Sequence, residues 1–152
     1  MSAVSFTERS FQVVDGPMGA ADLVLGTLVT ATDARALGDA LAWRRNRDFL
    51  APRTEEAGAV LELRALVELI DHIDPVARGE QPGPLTLTQP QVVLLAETAA
   101  GYVHERGDED FSPAPERDRL ARLGALTQPL LDLCSVFHDA QAELRAHHHH
   151  GR

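Results

Sequence analysis

The strongest constraint on the fold is a run of apolar residues near the C-terminus, spaced alternately by three and four positions. The run consists of Leu123, Leu126, Leu130, Leu133, Phe137, Ala140 and Leu144. This heptad-like spacing predicts a long helix with one apolar stripe. The stripe crosses Pro129, where we expect the helix to kink or restart with its apolar face in register.

Two helices are predicted in the first half of the chain. The first has Thr32 or Asp33 as its N-cap and ends near residue 49. The second begins at Thr54 and ends at about residue 74, before Pro75. Its core stripe is predicted to centre on Leu63, Val67 and Ile70.

A third helix begins at a capping box formed by Thr88 and Gln91, and Gly107 is predicted as its left-handed C-terminal cap. A further helix starts with Ser112 as N-cap and Pro113 in its first turn. The stripe of the third helix comprises Val92, Leu95, Ala99, Tyr102 and Val103.

The tetrapeptide LTQP occurs at residues 87–90 and again at residues 126–129. The second copy has Leu130 where the first has a glutamine, so Thr127 has only half of a capping box. We interpret the repetition as the same way of starting a helix used twice, and not as a repeated functional site.

The N-terminal region contains two segments with β-strand character, residues 10–14 and 23–31. They are compatible with a hairpin, although the second is equally compatible with the first turns of a helix. Residues 75–85 are rich in proline and glycine and predict a surface loop. The predicted fold is therefore mainly α, a compact bundle of four or five helices with room for a short N-terminal β-hairpin. We expect one domain over residues 1–146 and a disordered histidine-rich tail over residues 147–152.

Composition excludes several chemistries. The net charge is −9, which disfavours binding to nucleic acid or to anionic membranes. All 14 basic residues are arginine, so no lysine can act as a Schiff base or phosphate ligand. The single cysteine, Cys134, excludes an internal disulfide. The sequence has no apolar run of membrane-spanning length and no secretory signal pattern, so we expect a cytoplasmic location.

Three histidines on three predicted helices could hold Zn²⁺ or a similar divalent transition metal with a position open to water. They are His72, His104 and His138. Helical phase instead places His72 and His104 away from the core and His138 at the flank of the apolar stripe. We therefore expect no cofactor and keep a metal-dependent bundle enzyme as an alternative. Alanine at His72 and His138 would then abolish stoichiometric metal binding.

Positive charge is concentrated at the end of the first helix, in Trp43, Arg44, Arg45 and Arg47. Arginine forks beside an aromatic ring could bind an anion, a phosphate or a nucleic acid. Cations at a helix C-terminus are also favoured by the helix dipole, which is a purely structural explanation.

No nucleophile–base pair or cofactor motif stands out, so we expect a non-enzymatic protein that acts by protein–protein interaction. An adaptor, a regulator and an immunity-type inhibitor are all compatible with this expectation. The candidate interaction seam is Leu123, Leu126, Leu130, Leu133, Phe137 and Leu144. It either packs inside the bundle or pairs with a second copy. In both cases a polar substitution at Leu133 or Phe137 should disrupt folding or association.

Overall fold

The computed structural model describes residues 4–15, 21–49, 57–79, 81–107 and 113–150. Within these residues the chain forms four helices and three strands. In chain order they are β1 (Arg9–Asp15), β2 (Ala21–Val29), α1 (Ala31–Phe49), α2 (Ala57–Arg78), β3 (Gly83–Thr88), α3 (Gln89–Arg106) and α4 (Ala114–His150). The predicted mainly α fold with a short N-terminal β-hairpin is confirmed.

The strands form an antiparallel sheet in the order β1–β2–β3. The predicted hairpin is β1 with β2, paired so that Arg9 lies opposite Thr27. Strand β3 was not predicted, because its first residues fall in the segment expected to be a loop. Only Leu85 and Leu87 are buried in it, and two buried residues make an alternating pattern too short to recognise from sequence. Pro84 is compatible with a strand here because β3 lies at the edge of the sheet.

Helix α1 follows β2 after one residue, Thr30, which is its N-cap. The Thr30 hydroxyl accepts a hydrogen bond from the Asp33 N–H (3.1 Å), and its carbonyl accepts the Ala34 N–H (2.9 Å). The prediction of Thr32 or Asp33 as N-cap is therefore wrong, since both lie inside the first turn. The helix begins where the strand stops, which a search for apolar periodicity does not detect.

Helix α2 differs from its prediction in length and in rotation. It continues through Pro75 to Arg78, whereas the predicted start at Thr54 lies outside the described residues. Its buried side chains are Leu66, Leu69, Ile73 and Val76. Val67, at the centre of the predicted stripe, is 42% exposed. The predicted phase is wrong by about one residue, or about 100°, because α2 carries apolar side chains on two adjacent faces.

Helix α3 has the predicted beginning and the predicted buried face. Thr88 accepts from the Gln91 N–H while the Gln91 side chain accepts from the Thr88 N–H, which completes the capping box. Val92, Leu95, Ala99 and Tyr102 are buried, and Val103 packs against the same core. Gly107 ends the helix in a right-handed conformation, with φ −68°, so the predicted left-handed cap is wrong. Glycine is still required, because a Cβ there would lie 2.5 Å from the Val103 carbonyl oxygen.

Helix α4 is one continuous helix of 37 residues that includes Pro129. It does not restart at the second LTQP. Instead, the Thr127 hydroxyl donates to the Leu123 carbonyl one turn earlier (2.9 Å). Its predicted N-cap, Ser112, lies outside the described residues. The helix extends to His150.

Among the described residues, one apolar cluster joins the inner face of the sheet to the four helices. Its largest fully buried side chains are Phe6, Leu25, Leu37, Leu41, Leu66, Leu69, Ile73, Leu87, Leu95, Leu123, Leu130 and Phe137. Helix α4 packs along α3 and across β2, and α1 packs against α2. In the part of the chain described here, no helix is long and apolar enough to cross a membrane.

Candidate functional site

The predicted interaction seam of α4 lies in the core of the chain itself. Leu123, Leu126, Leu130, Leu133 and Phe137 are buried, and Leu144 is half-buried against the same cluster. The rings of Phe137 and Phe11 of β1 meet edge to face, with centroids 5.2 Å apart. These side chains therefore pack within one copy of the chain, which is one of the two arrangements compatible with the sequence.

Arg44, one of the predicted anion-binding residues, ties three helices together. Only 13% of its side chain is exposed, and its guanidinium donates to the Thr98 hydroxyl of α3 (3.1 Å). It also pairs with three carboxylates, at 3.6 Å from Asp48 of α1, 3.9 Å from Glu62 of α2 and 3.7 Å from Glu97 of α3. An incoming anion would have to compete with carboxylates that already neutralise this charge.

Arg47 and Trp43 are also engaged with neighbouring groups. Arg47 Nη1 lies 2.7 Å from Oε1 of Glu105. The Arg47 guanidinium also lies over the Trp43 ring, with its Cζ 4.9 Å from the ring centroid. The Trp43 ring also meets the Tyr102 ring edge to face, with centroids 5.1 Å apart. Arg45 bonds the side chain of the next residue. The segment predicted as an anion site thus fastens the end of α1 to α3.

The three candidate metal-binding histidines lie on α2, α3 and α4. His72 Nε2 donates to the Thr86 carbonyl of β3, because a carbonyl oxygen can only accept. His104 and His138 are exposed on their helices. Over the described ranges, no three His, Cys, Asp or Glu side chains are grouped so that they could hold a metal ion. The contact made by His72 covers part of an otherwise open sheet edge.

A polar network that the sequence did not reveal joins α3 to α4. The Tyr102 hydroxyl donates to Glu116 (2.6 Å), and the same carboxylate accepts from Arg106 (3.1 Å) and Arg119 (2.6 Å). Arg119 also pairs with Asp39 of α1 at 3.2 Å. Tyr102 and Arg106 are one turn apart on α3, and Glu116 and Arg119 are one turn apart on α4. The two pairs meet only through helix packing, so no local motif could have identified the network.

The environment shifts the pKa values of this network in opposite directions. Burial raises the pKa of Tyr102, and its hydrogen bond to the anionic Glu116 raises it further. For Glu116, desolvation opposes ionisation, but the Tyr102 hydrogen bond and the charges of Arg119 and Arg106 outweigh it and lower the pKa. The pKa of Arg119 is raised, first by its hydrogen bond with Tyr102. At neutral pH the carboxylate is charged and held by its neighbours, as expected of a structural network.

An open cleft of about 570 Å³ lies where the N-terminal segment meets α1 and α4. Ser5 Oγ on its wall accepts the Thr30 N–H (2.9 Å) and donates to the Asp33 carboxylate. Arg122 of α4 donates to the other oxygen of Asp33 (3.1 Å). Ser5 thus stands between the two groups that would bond directly in an ordinary capping box. The hydroxyl and the carboxylate are both used in holding the start of α1.

A second concavity, the α2/α3 groove, is apolar. It has a volume of about 390 Å³ and is lined by Ala65 of α2 and by Gln89, Pro90, Val93, Leu94 and Glu97 of α3. Val93 is 37% exposed, and Leu61, one turn before Ala65, is 64% exposed. These side chains lie off the core stripes of their helices. Their apolar character at exposed positions is the sequence signal that could have identified the groove.

The free edge of β1 is a second apolar surface. In β1 only Phe11 is partly buried, and the other six residues are exposed. Val13 is 60% exposed and Val14 38% exposed. Among the described strands, β1 has a partner on one side alone, which leaves alternate backbone N–H and C=O groups facing outward.

Cys134 is half-buried on α4. Desolvation raises the pKa of its thiol, and the negative charge of Glu97 raises it further. The thiol is therefore protonated at neutral pH, which is the unreactive form.

Comparisons with protein-family models, with curated proteins and with solved structures gave no significant match.

Proposed function

We propose that the protein acts by binding another protein, as a small acidic adaptor or regulator. The partner would insert the apolar face of a basic amphipathic helix into the α2/α3 groove. Exposed apolar side chains beside this concavity are the observation that carries the proposal. A groove between two helices is a recurrent receptor for an apolar helix face.

The shape and lining of the groove support a helix as its occupant. Pro90 and Val93 form one wall, and Ala65, a small residue, forms the other and leaves room for an inserted side chain. Leu61 lies one helical turn before Ala65 on the same helix and is 64% exposed. Single exposed leucines are common on protein surfaces. Here the exposed Val93 instead lines an apolar concavity, as binding surfaces do.

Charge at the rim favours a basic partner. The side chains of Glu62 and Glu97, on the two helices that form the groove, are 65% and 60% exposed. They share the single cation of Arg44 with Asp48, so this region keeps a negative charge. The whole chain carries a net charge of −9. A partner helix with arginine or lysine beside its apolar face would gain a faster encounter and a defined orientation.

The test is a binding screen with a library of amphipathic helical peptides whose polar faces are basic, neutral or acidic. We expect the basic peptides to be enriched and their affinity to fall as salt rises. Val93→Glu should weaken binding by about tenfold or more, since it places a charge where an apolar side chain would be buried. The matched control is Val67→Glu, a valine of similar exposure that does not line the groove.

Two outcomes would contradict the proposal. One is that no peptide class is enriched by the wild-type protein. The other is that the enriched peptides bind Val93→Glu and Val67→Glu equally well, because the groove would then not be the receptor. Circular dichroism of both variants must first show that they retain the helical fold.

A further inference from the structure

Strand β1 has a sequence that is complementary to itself when two copies run antiparallel. It reads RSFQVVD, from Arg9 to Asp15. If two copies meet with Gln12 opposite Gln12, Arg9 of each lies opposite Asp15 of the other. Opposite charges placed directly across an antiparallel pair are stabilising. One register therefore forms two cross-strand ion pairs at once.

The same register matches the apolar residues. Phe11 of one strand lies opposite Val13 of the other, and both belong to the face of the sheet that turns toward the helices. On the other face, Ser10 lies opposite Val14. Val13 and Val14 are 60% and 38% exposed, and each would gain a cross-strand neighbour.

The edge also lacks several of the features that usually prevent such pairing. Natural edge strands are often protected by proline, lysine or inward-pointing charges. Strand β1 contains no proline and no lysine, and its two charges stand at its ends, where the proposed register pairs them across the strands. At the opposite edge, β3 contains Pro84, and His72 occupies the Thr86 carbonyl.

We propose that two copies of this chain associate through β1, with Gln12 at the two-fold axis, to form a continuous six-stranded antiparallel sheet. A two-fold axis through an antiparallel strand pair makes the same patch face itself, as in most homodimers. This proposal goes beyond the helix-binding function and uses the edge of the sheet opposite to β3. The dimer would carry two α2/α3 grooves, so a partner with two helices could bind both with increased avidity.

The experiment measures mass by sedimentation equilibrium on the full chain into the high micromolar range. EDTA is present so that the histidine run cannot bridge copies through metal. We expect a species of twice the 16.5 kDa chain mass. Arg9→Glu and Asp15→Arg, each alone, should weaken dimerisation about tenfold, because two attractive pairs become two repulsive ones. The double variant exchanges the charges and should restore the wild-type dissociation constant.

The double variant is the decisive control. Arg9 also donates to the Phe6 carbonyl (2.9 Å), and this bond is lost both in Arg9→Glu and in the double variant. Restoration can therefore come only from the cross-strand pairs. Val13→Lys should abolish the dimer, while Val67→Lys, at an exposed position on α2, should leave it unchanged.

A monomer at every concentration would overturn the proposal, and so would a dimer that persists in Val13→Lys. Failure of the double variant to restore the affinity would overturn the proposed register. These outcomes are distinct from failure of the helix-binding function. Val93→Glu should reduce peptide binding without altering the mass, and Val13→Lys should alter the mass without reducing binding to a single peptide.

Discussion

Replacement of Phe137 by alanine tests the packing of α4 against the sheet most directly. The ring is fully buried and meets Phe11 edge to face at 5.2 Å. Truncation of a buried phenylalanine costs about 3–5 kcal/mol. About 0.5–1.5 kcal/mol of this belongs to the aromatic pair. Since proteins of this kind are stable by about 5–15 kcal/mol, the variant should fold but be marginal.

Urea unfolding followed by the fluorescence of Trp43, the only tryptophan, provides the assay. With an m value of about 2 kcal/mol per molar urea, the midpoint should fall by roughly 2 M. Phe11→Ala and the double variant complete a cycle whose coupling energy should be about 0.5–1.5 kcal/mol. Val136 precedes Phe137 in the chain and is 39% exposed, so Val136→Ala should cost less than about 1 kcal/mol.

The inward assignment of the seam would be refuted if Phe137→Ala cost less than about 1.5 kcal/mol. It would also be refuted if Val136→Ala cost as much as Phe137→Ala. A change in oligomeric mass at unchanged stability would instead identify Phe137 as an interface residue. Sedimentation of the same samples separates these cases.

Two further predictions concern polar contacts. Glu116→Gln should cost about 1.5–3 kcal/mol at neutral pH, the value of hydrogen bonds to a charged group. Because the folded-state pKa of Glu116 is lowered, its contribution is present above the unfolded pKa of about 4.3 and is lost as pH falls through the folded value. The wild type should therefore lose more stability than the variant on acidification from about pH 5, and parallel pH profiles from thermal melts would contradict this. Thr88→Ala removes the cap of α3 and should cost about 1 kcal/mol. Gln91→Ala, which removes the reciprocal bond, should cost less, and equal stability of Thr88→Ala and wild type in urea would argue against the capping box.

Much of the fold was predictable because it depends on local signals. Three such signals are the heptad run of α4, the capping box at Thr88 and the apolar stripe of α3. Each depends on residues that are only a few positions apart in the chain. They are found as predicted. Strand β3 was not predicted because an alternating pattern with only two buried leucines does not distinguish a strand from a loop. The sequence also could not rank the two apolar faces of α2, whose phase depends on where α1 and β3 lie.

The candidate sites were less predictable, since each depends on residues far apart in the chain. The cluster of arginines around Arg44 suggests an anion site, but folding brings Glu62 and Glu97 to Arg44 from two other helices. The α2/α3 groove likewise exists only once those helices stand side by side.

The amino-acid sequence already indicates a mainly helical chain, the beginning of α3 and the apolar faces of α3 and α4, and it excludes lysine chemistry and an internal disulfide. Those properties follow from residue type and spacing. Helix packing, in contrast, places the seam from Leu123 to Phe137 inside the chain and brings glutamates of other helices to Arg44 and Arg47 of α1. It also leaves β1 at an edge of the sheet among the described strands. Each of these depends on which surfaces meet, and the free energy of burial that selects among them is a property of the packed chain as a whole.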